Sequence, residues 1–301
     1  MTDTRIVPKV SIGMPVFNGE KFIRGALDSL LGQSFTDFEL IISDNGSTDG
    51  SELICREYAA RDQRIRYVRQ ETNLGAGFNF KFVLDEARSE YFMWAACDDT
   101  RSLDFIEVNH KFLFEYPEFV ASTSPSGFSN RSLDQQKLIN FSLEGSLFER
   151  FINFFKHCWV SHGIFYSLVR TDVLRGCDAI GQSYTAVDWS IILYLASKGK
   201  VNRSAEGHAI FGVQGVSSSS NSYKAFRNDT IELILPFYRL AKYVLGLTKG
   251  FTLRHKLQII RILISLNIRA DYERTYGWLY SIYCKYFRHL VRKNSYKNHK
   301  L

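Results

Sequence analysis

A mostly parallel α/β sheet with helices on both faces is the fold class this sequence predicts, on three observations. Short β-rich apolar runs alternate with segments of helical spacing between Lys9 and Ala95, in the order β-α-β-α-β-α-β. Polar and turn-forming residues gather just beyond the carboxyl ends of those runs, where ligands bind in sheets of this kind. The chain has 301 residues, 45% apolar and 15% aromatic, enough to bury the core of one large domain or two modest ones.

The elements follow in order. Lys9 to Phe17 has the pattern of a buried strand, and Lys21 to Leu31 places Phe22, Ala26, Leu27 and Leu30 at helical spacing. Phe38 to Ile42 is a second strand, and Ser47 or Thr48 is positioned to cap a helix running to about Arg61. Ile65 to Val68 reads as the third strand, Ala76 to Ala87 as the third helix and Tyr91 to Ala95 as the fourth strand. Leu103 to Tyr116 is a further helix.

Composition excludes several classes. With 23% charged residues, 5 Pro, 20 Gly and no short repeat, the chain is neither disordered, collagen-like nor a solenoid. Cys55, Cys97, Cys158, Cys177 and Cys284 are scattered and form no C-x-x-C pair, so reduced thiols are expected rather than a zinc site or a disulfide framework. MTDTRIVPKVSIG contains no apolar signal core, and no stretch of eighteen residues is free of charge, so neither export nor a membrane span is expected. No G-x-S-x-G elbow and no G-x-G-x-x-G turn is present.

The strand ends hold the chemistry. Pro15 to Glu20 follows the first strand, Ser43 to Ser47 the second and Cys97 to Thr100 the fourth. One Asp after a strand is an ordinary turn former, but several polar loops on one edge point to a binding site. Asp98 and Asp99 are the sharpest feature. Adjacent carboxylates repel, and a hard divalent ion or strong donors would offset that repulsion. Beside them Cys97 makes a poor thiolate, because like charge raises its pKa.

Four segments together resemble family 2 glycosyltransferases: Val10 to Glu20 (VSIGMPVFNGE), Phe38 to Asp49 (FELIISDNGSTD), Asn73-Leu74-Gly75, and Asp98-Asp99. The resemblance is dense over residues 8–116 and thin afterwards. It implies an inverting enzyme of the GT-A fold that uses a nucleotide-sugar, a UDP-sugar being favoured. Pro15, Val16 and Phe17 with Glu20 would frame the nucleoside, and Asp44 would accept a hydrogen bond from the base, typically the imide N–H of uracil. Asp98 would hold the ribose and Asp99 a Mn²⁺ or Mg²⁺ ion bridging the diphosphate, Asp98 lying beside the metal too. Asn73 and Gly75 would shape the loop that closes over the nucleotide, with Asn79 near it. Two departures bear on the metal. Asn45 and Ala96 stand where many relatives have acids, so fewer carboxylates are offered.

The resemblance also places a catalytic base downstream, at a helix start in an acceptor-binding half. Asp188, in Tyr184 to Trp189 ahead of the apolar run Ile191 to Ala196, has that setting; Asp178 and Asp172 are rivals at turns. Ser161 to Ser167 looks like the segment lining the acceptor cleft, with His162 as a contact. Gly212 to Ser217 resembles a late loop that supplies a basic residue to the diphosphate in some relatives; this chain offers Gln214, with His208 further back.

Charge divides the chain. Leu233 to Leu301 carries 14 Lys and Arg against two acids, a net of +12, which leaves −5 for the first 232 residues of a chain whose total is +7. Leu253, Leu257, Ile260, Ile264 and Ile268 mark one helical stripe, and Arg254, Gln258, Arg261, Ser265 and Arg269 its neighbour. Beyond them Tyr272, Tyr276, Trp278, Tyr280, Tyr283, Tyr286 and Phe287 interleave with Arg274, Lys285, Arg288, Arg292 and Lys293, which suits an anionic membrane surface better than nucleic acid.

The expected organisation is a catalytic domain over residues 1–228, with a nucleotide-binding half at about 8–116 and an acceptor half at about 117–228, followed by basic helices over 229–301. The expected activity is transfer of one sugar to a growing, lipid-linked surface polysaccharide or O-antigen at the inner face of the cell membrane. A nucleotidyltransferase is less well matched, because Pro15 to Glu20 lacks a Gly- and basic-rich phosphate loop, and so is a non-catalytic scaffold, because the key acids are intact.

Overall fold

The computed structural model describes residues 7–130, 139–213 and 230–282, with side chains up to residue 270. The chain forms two compact units, Met1–Phe226 and Arg227–Leu301.

In the first unit β1 (Val10–Val16), β2 (Phe38–Asp44), β3 (Ile65–Arg69) and β4 (Tyr91–Trp94) alternate with α1 (Ile23–Leu31), α2 (Ser51–Arg61) and α3 (Ala76–Asp85). β1 lies between β2 and β4, parallel to both, and β3 extends the sheet parallel to β2. β1 is buried along nearly its whole length and β2 throughout, as strands covered on both faces must be. Glu39, in the middle of β2, is tolerated there because Ser11 donates to it at 2.7 Å and Arg88 at 2.9 Å.

The second half adds β5 (Thr100–Arg101), α4 (Phe105–Glu115), β6 (Phe119–Thr123), β7 (Ser126–Phe128), α5 (Leu147–His157) and α6 (His162–Phe165). After these come β8 (Leu168–Arg170), α7 (Thr171–Arg175), α8 (Val187–Lys198), β9 (Lys200–Arg203) and β10 (Ala209–Phe211). The main sheet runs β3-β2-β1-β4-β8-β6-β9. β8 is antiparallel to both β4 and β6, so the parallel run is broken at one strand. A second sheet, β5-β10-β7, pairs β10 antiparallel to β5. α8 is buried from Trp189 to Ala196 on every side and forms the apolar centre of this half.

Two local expectations change. α2 begins at Ser51 after Gly50 with no side-chain cap, so neither Ser47 nor Thr48 caps it. Both instead bind the loop after β1: Ser47 Oγ accepts from Asn18 N–H at 2.9 Å, and Thr48 N–H donates to Asn18 Oδ1 at 2.8 Å.

The second unit contains α9 (Thr230–Ile234), α10 (Tyr238–Leu247) and α11 (Leu253–Ile282). Phe237 N–H donates to Asn267 Oδ1 at 2.9 Å, which ties the start of α10 to α11. Gln214, Ser217 and the aromatic and basic residues from Tyr272 onward fall outside the residues whose side chains are described. Among the described residues no helix is long and apolar enough to cross a membrane.

The packing of α3 on β1 is testable. A Cβ on Gly13 would lie 2.6 Å from Val83 Cγ2 and 2.7 Å from Phe92 Cζ, whereas one on Gly25 in α1 would meet nothing within 4 Å. Gly13→Ala should lower unfolding stability by about 1–3 kcal/mol. Gly25→Ala should raise it by about 0.4–1 kcal/mol. Urea denaturation measures both, and equal effects would contradict the packing.

Candidate functional site

Because β1, β2 and β4 are parallel, their carboxyl ends share one edge, with Val16 opposite Asp44 in register. The loops beyond them are stitched together by hydrogen bonds. Gly19 N–H donates to Ser51 Oγ at 2.8 Å, and Gly50 N–H to Glu20 Oε2 at 2.9 Å. A Cβ on Gly19 would lie 2.8 Å from Cys97 Sγ, so the loop after β1 also rests on the loop after β4. Phe17 is left exposed on this rim while Val16 beneath it is buried.

Asp44 is completely buried. Its Oδ1 accepts from Ser47 N–H at 2.8 Å, and its Oδ2 from the Tyr67 hydroxyl at 2.8 Å and from Arg69 at 3.2 Å. Its oxygens are engaged by its own chain, where they fix the loop beneath the position expected for a nucleobase. Asn79 is also buried; its amide nitrogen donates to Ser43 O at 2.9 Å and Val16 O at 3.4 Å, bracing the ends of β1 and β2, while its Oδ1 has no hydrogen-bond partner. Asn45, equally buried, ties the loop after β2 to the turn ahead of α3. Its amide nitrogen donates to Asn73 Oδ1 at 2.9 Å and Gly75 O at 3.1 Å, and its oxygen accepts from Leu74 N–H at 3.0 Å. An amide does this where a carboxylate could not, since it donates and accepts at once. Asn73 and Gly75 are exposed.

Asp98 and Asp99 occupy the turn between β4 and β5, and the β5–β10 pairing brings Gly212 against them. Gly212 N–H donates to Asp99 Oδ1 at 3.0 Å, and a Cβ on Gly212 would lie 2.0 Å from Asp98 Oδ2. No side chain fits there. Asp99 is buried, and its Oδ2 has no hydrogen-bond partner. Burial pushes its carboxyl up to about 7, opposed by the charge of Arg101 and by Gly212 N–H, with Asp98 adding to the rise. Arg101 is itself buried; one nitrogen reaches Trp94 O at 3.1 Å, while Nε and Nη1 have no partner. Cys97 is pushed up to about 12 by burial and the two acids, which bears out the expectation of an unreactive thiol.

Asp188 is the second residue of α8, and Ala186 before it has φ 63°, in the left-handed region. For a residue with a Cβ that conformation costs on the order of 1–3 kcal/mol and is held only where the surroundings impose it. Burial raises the Asp188 carboxyl, and the charge of His162 opposes the rise. His162 Nδ1 is buried without a partner, its ring 5.7 Å from that of Phe128. The rivals lie outside this setting: Asp172 is fully exposed on α7, 3.9 Å from Arg175, and Asp178 is exposed. The main-chain N–H of His208, just ahead of β10, donates to Ser102 Oγ at 2.9 Å.

Tyr166 joins the two halves of the site. Its hydroxyl is raised well above the ordinary tyrosine range by burial and then by the negative charges of Asp99, Asp98 and Asp188, with Arg101 opposing. Acids from the turn after β4 and from α8 thus act on one phenol. Tyr166 and Gly212 lie in the two segments marked in the sequence, Ser161 to Ser167 and Gly212 to Ser217, without roles of their own there; Arg101, two positions after Asp99, was not marked.

The donor set suits a hard divalent cation held mainly by its ligand. Two adjacent carboxylates are available, and one buried oxygen is unmatched. No group of three or more His, Cys, Asp or Glu is placed to hold a metal ion among the described residues. Phosphate and water oxygens would complete such a coordination sphere, which is how Mg²⁺ is usually bound at nucleotide sites.

The sequence profile described as glycosyl transferase family 2 matches residues 11–174, more than half of the chain. The chain is 33% identical over 113 residues to glycosyltransferase GlyA of Streptococcus pneumoniae, a match covering 38% of this chain and 16% of that protein. It is 34% identical over 108 residues to TuaG of Bacillus subtilis, provisionally named a teichuronic acid biosynthesis glycosyltransferase, covering 36% of this chain and 43% of that one. The matches therefore span less than half the length of these relatives. Among solved structures, S. aureus TarS in complex with UDP-GlcNAc superposes with a TM-score of 0.66 at 19% identity, over 85% of this chain and 71% of that one. A mannosyltransferase from Pyrobaculum calidifontis, solved with GDP-Man and Mn²⁺, gives 0.52 at 15% identity, over 91% and 84% of the two chains. The fold shared with these neighbours is GT-A.

The Asp99 environment makes a pH prediction. Its pKa is raised from an ordinary 3.8 to about 7, so folding favours the protonated form. The folded chain retains a proton that the unfolded chain has released, and stability falls as pH rises through that interval. Asp99→Asn removes the loss, so its melting temperature relative to wild type should climb from pH 4 to about 7 and level off above. A pH-independent difference in differential scanning calorimetry would contradict the buried carboxyl.

Proposed function

Since the chain belongs to glycosyl transferase family 2, we propose that it transfers one sugar from a nucleotide-sugar, a UDP-sugar being favoured, to a hydroxyl of a growing glycan, with inversion at the anomeric carbon. The observation that carries this reading is the placement of Asp98 and Asp99 beyond β4, with Gly212 N–H on Asp99 Oδ1 and the other Asp99 oxygen unmatched, while Asp188 stands at the start of α8. It provides an acidic edge for a diphosphate-bound cation and a separate carboxylate for the attacking hydroxyl.

Asp188 accepts the proton of the acceptor hydroxyl as its oxygen bonds to the anomeric carbon, and the bond from that carbon to the diphosphate breaks on the opposite face. The electron pair leaves with the diphosphate oxygen. Burial raises the basicity of Asp188, and His162, lying close enough to oppose that rise, stabilises the ionised form needed before each cycle. Asp98 and Asp99 would hold a Mn²⁺ or Mg²⁺ ion, which when bound supplies positive charge to the leaving diphosphate. Gly212, lacking a Cβ, lets the Asp98 carboxylate pack against its backbone. Pro15, Val16, Phe17 and Glu20 line the nucleoside side of the rim, and Asn45, Asn73 and Gly75 form the loop above it. Asp44 and Asn79 position these elements from within. A relative named for teichuronic acid biosynthesis supports a surface polysaccharide as acceptor, and a lipid-linked form would present it at a membrane.

Asp188→Asn should keep donor binding, seen as an unchanged UDP-sugar thermal shift, while transfer falls by about 10²–10⁴. Transfer at the wild-type rate would move the base elsewhere. The thermal shift given by a UDP-sugar should be larger with Mn²⁺ than with EDTA, and Asp99→Ala should remove that difference. Equal shifts with and without the ion would contradict the metal assignment.

A further inference from the structure

We propose that the C-terminal unit docks on the surface of an anionic lipid bilayer through an apolar groove between α10 and α11 bordered by basic residues on both sides. This goes beyond glycosyl transfer and does not depend on it, since it concerns Arg227–Leu301 alone.

Helix α11 has three faces. Ile259, Leu263, Leu266 and Asn267 are buried. Next around the helix, Leu253, Leu257, Ile264 and Ile268 face solvent at 74%, 47%, 54% and 65% exposure. Arg254 and Arg261, both exposed, follow on the far edge. The aliphatic stripe that the sequence shows is therefore the uncovered face, while the helix packs through a different one. On α10, Tyr238, Ala241 and Leu245 turn toward the same groove, and exposed Lys242 lies on its outer side. The groove encloses about 260 Å³, and Asn267 is the one lining residue with an amide.

The groove is built into the unit. Asn267 accepts from Phe237 N–H at 2.9 Å and donates to Leu263 O at 2.9 Å, so its polar atoms are engaged. Buried Glu232 is paired with Arg239 at 3.2 Å. These bonds fix the helices in the arrangement that leaves the aliphatic stripe outward.

Charge selects the occupant. From Leu233 to Ala270 there are seven Lys and Arg and no Asp or Glu. A second copy would bring the same charges face to face, which is repulsive. Nucleic acid would meet the basic edges but gain nothing from the aliphatic centre. An anionic bilayer satisfies both, taking the aliphatic side chains at the headgroup boundary and the basic ones among lipid phosphates. No helix among the described residues is suited to spanning, which is consistent with lying on the surface.

The test is co-sedimentation of the full chain with vesicles of equal parts phosphatidylglycerol and phosphatidylcholine, at low salt. Wild type should bind these and bind pure phosphatidylcholine vesicles far less. Arg254→Gln/Arg261→Gln should lower the partition coefficient by more than about ten-fold. Ile264→Ser/Ile268→Ser should lower it by at least about ten-fold. All four positions are exposed, and the UDP-sugar thermal shift should stay at the wild-type value in both variants, which separates this test from the transferase reading. Undiminished vesicle binding by either variant would overturn the proposal, as would absence of binding by wild type. Self-association in sedimentation velocity that the Ile variant abolishes, without vesicle binding, would give the face to a second copy and likewise overturn it.

Discussion

The parallel pairing of β1 with both β2 and β4 is the constraint on which the rest of the first unit depends. Parallel strands deliver all their carboxyl ends to one edge, so three loops distant in sequence must meet there. What remains is to hold them still, and the chain does so with polar side chains. Buried Asp44 accepts and buried Asn79 donates main-chain hydrogen bonds under the rim, and exposed Glu20 accepts one from Gly50 at its surface. Asp44 would be costly to bury unmatched, and the loop it organises matches it.

A different balance governs the reacting side. Asp99 is taken out of water with one oxygen unpaired, and Arg101 beside it is buried with two nitrogens unpaired. These groups reduce the stability of the empty fold. Such a cost is common where a site is prepared for a charged ligand, because the donors and acceptors left open are those the ligand supplies. The left-handed Ala186 ahead of Asp188 belongs with them, a strained backbone at a position that aims a carboxylate.

Much of this was legible in the sequence. Strand and helix order emerged from periodicity because the first half uses continuous apolar strands and amphipathic helices of ordinary length. Asp98, Asp99 and Asp188 were visible by type and setting. Three things were not. The antiparallel β8 is three residues long and too short to declare a direction. That Asp44 and Asn79 hold the backbone of their own loops was not visible, since a polar side chain in a strand-end motif looks the same whether or not it also bonds the backbone. Gly212 and Tyr166 matter through contacts made across the fold, to which local sequence is blind. The stripe on α11 was read correctly as a stripe; that it faces outward depends on which other face Asn267 anchors.

A crystal structure of the chain with UDP and Mn²⁺ tests the central claim most directly. The account predicts the base and ribose over the loops after β1 and β2, and the diphosphate beside Asp98, Asp99 and Gly212, on the side facing Asp188. UDP seated elsewhere, with that edge left without ligand at saturating nucleotide, would contradict it.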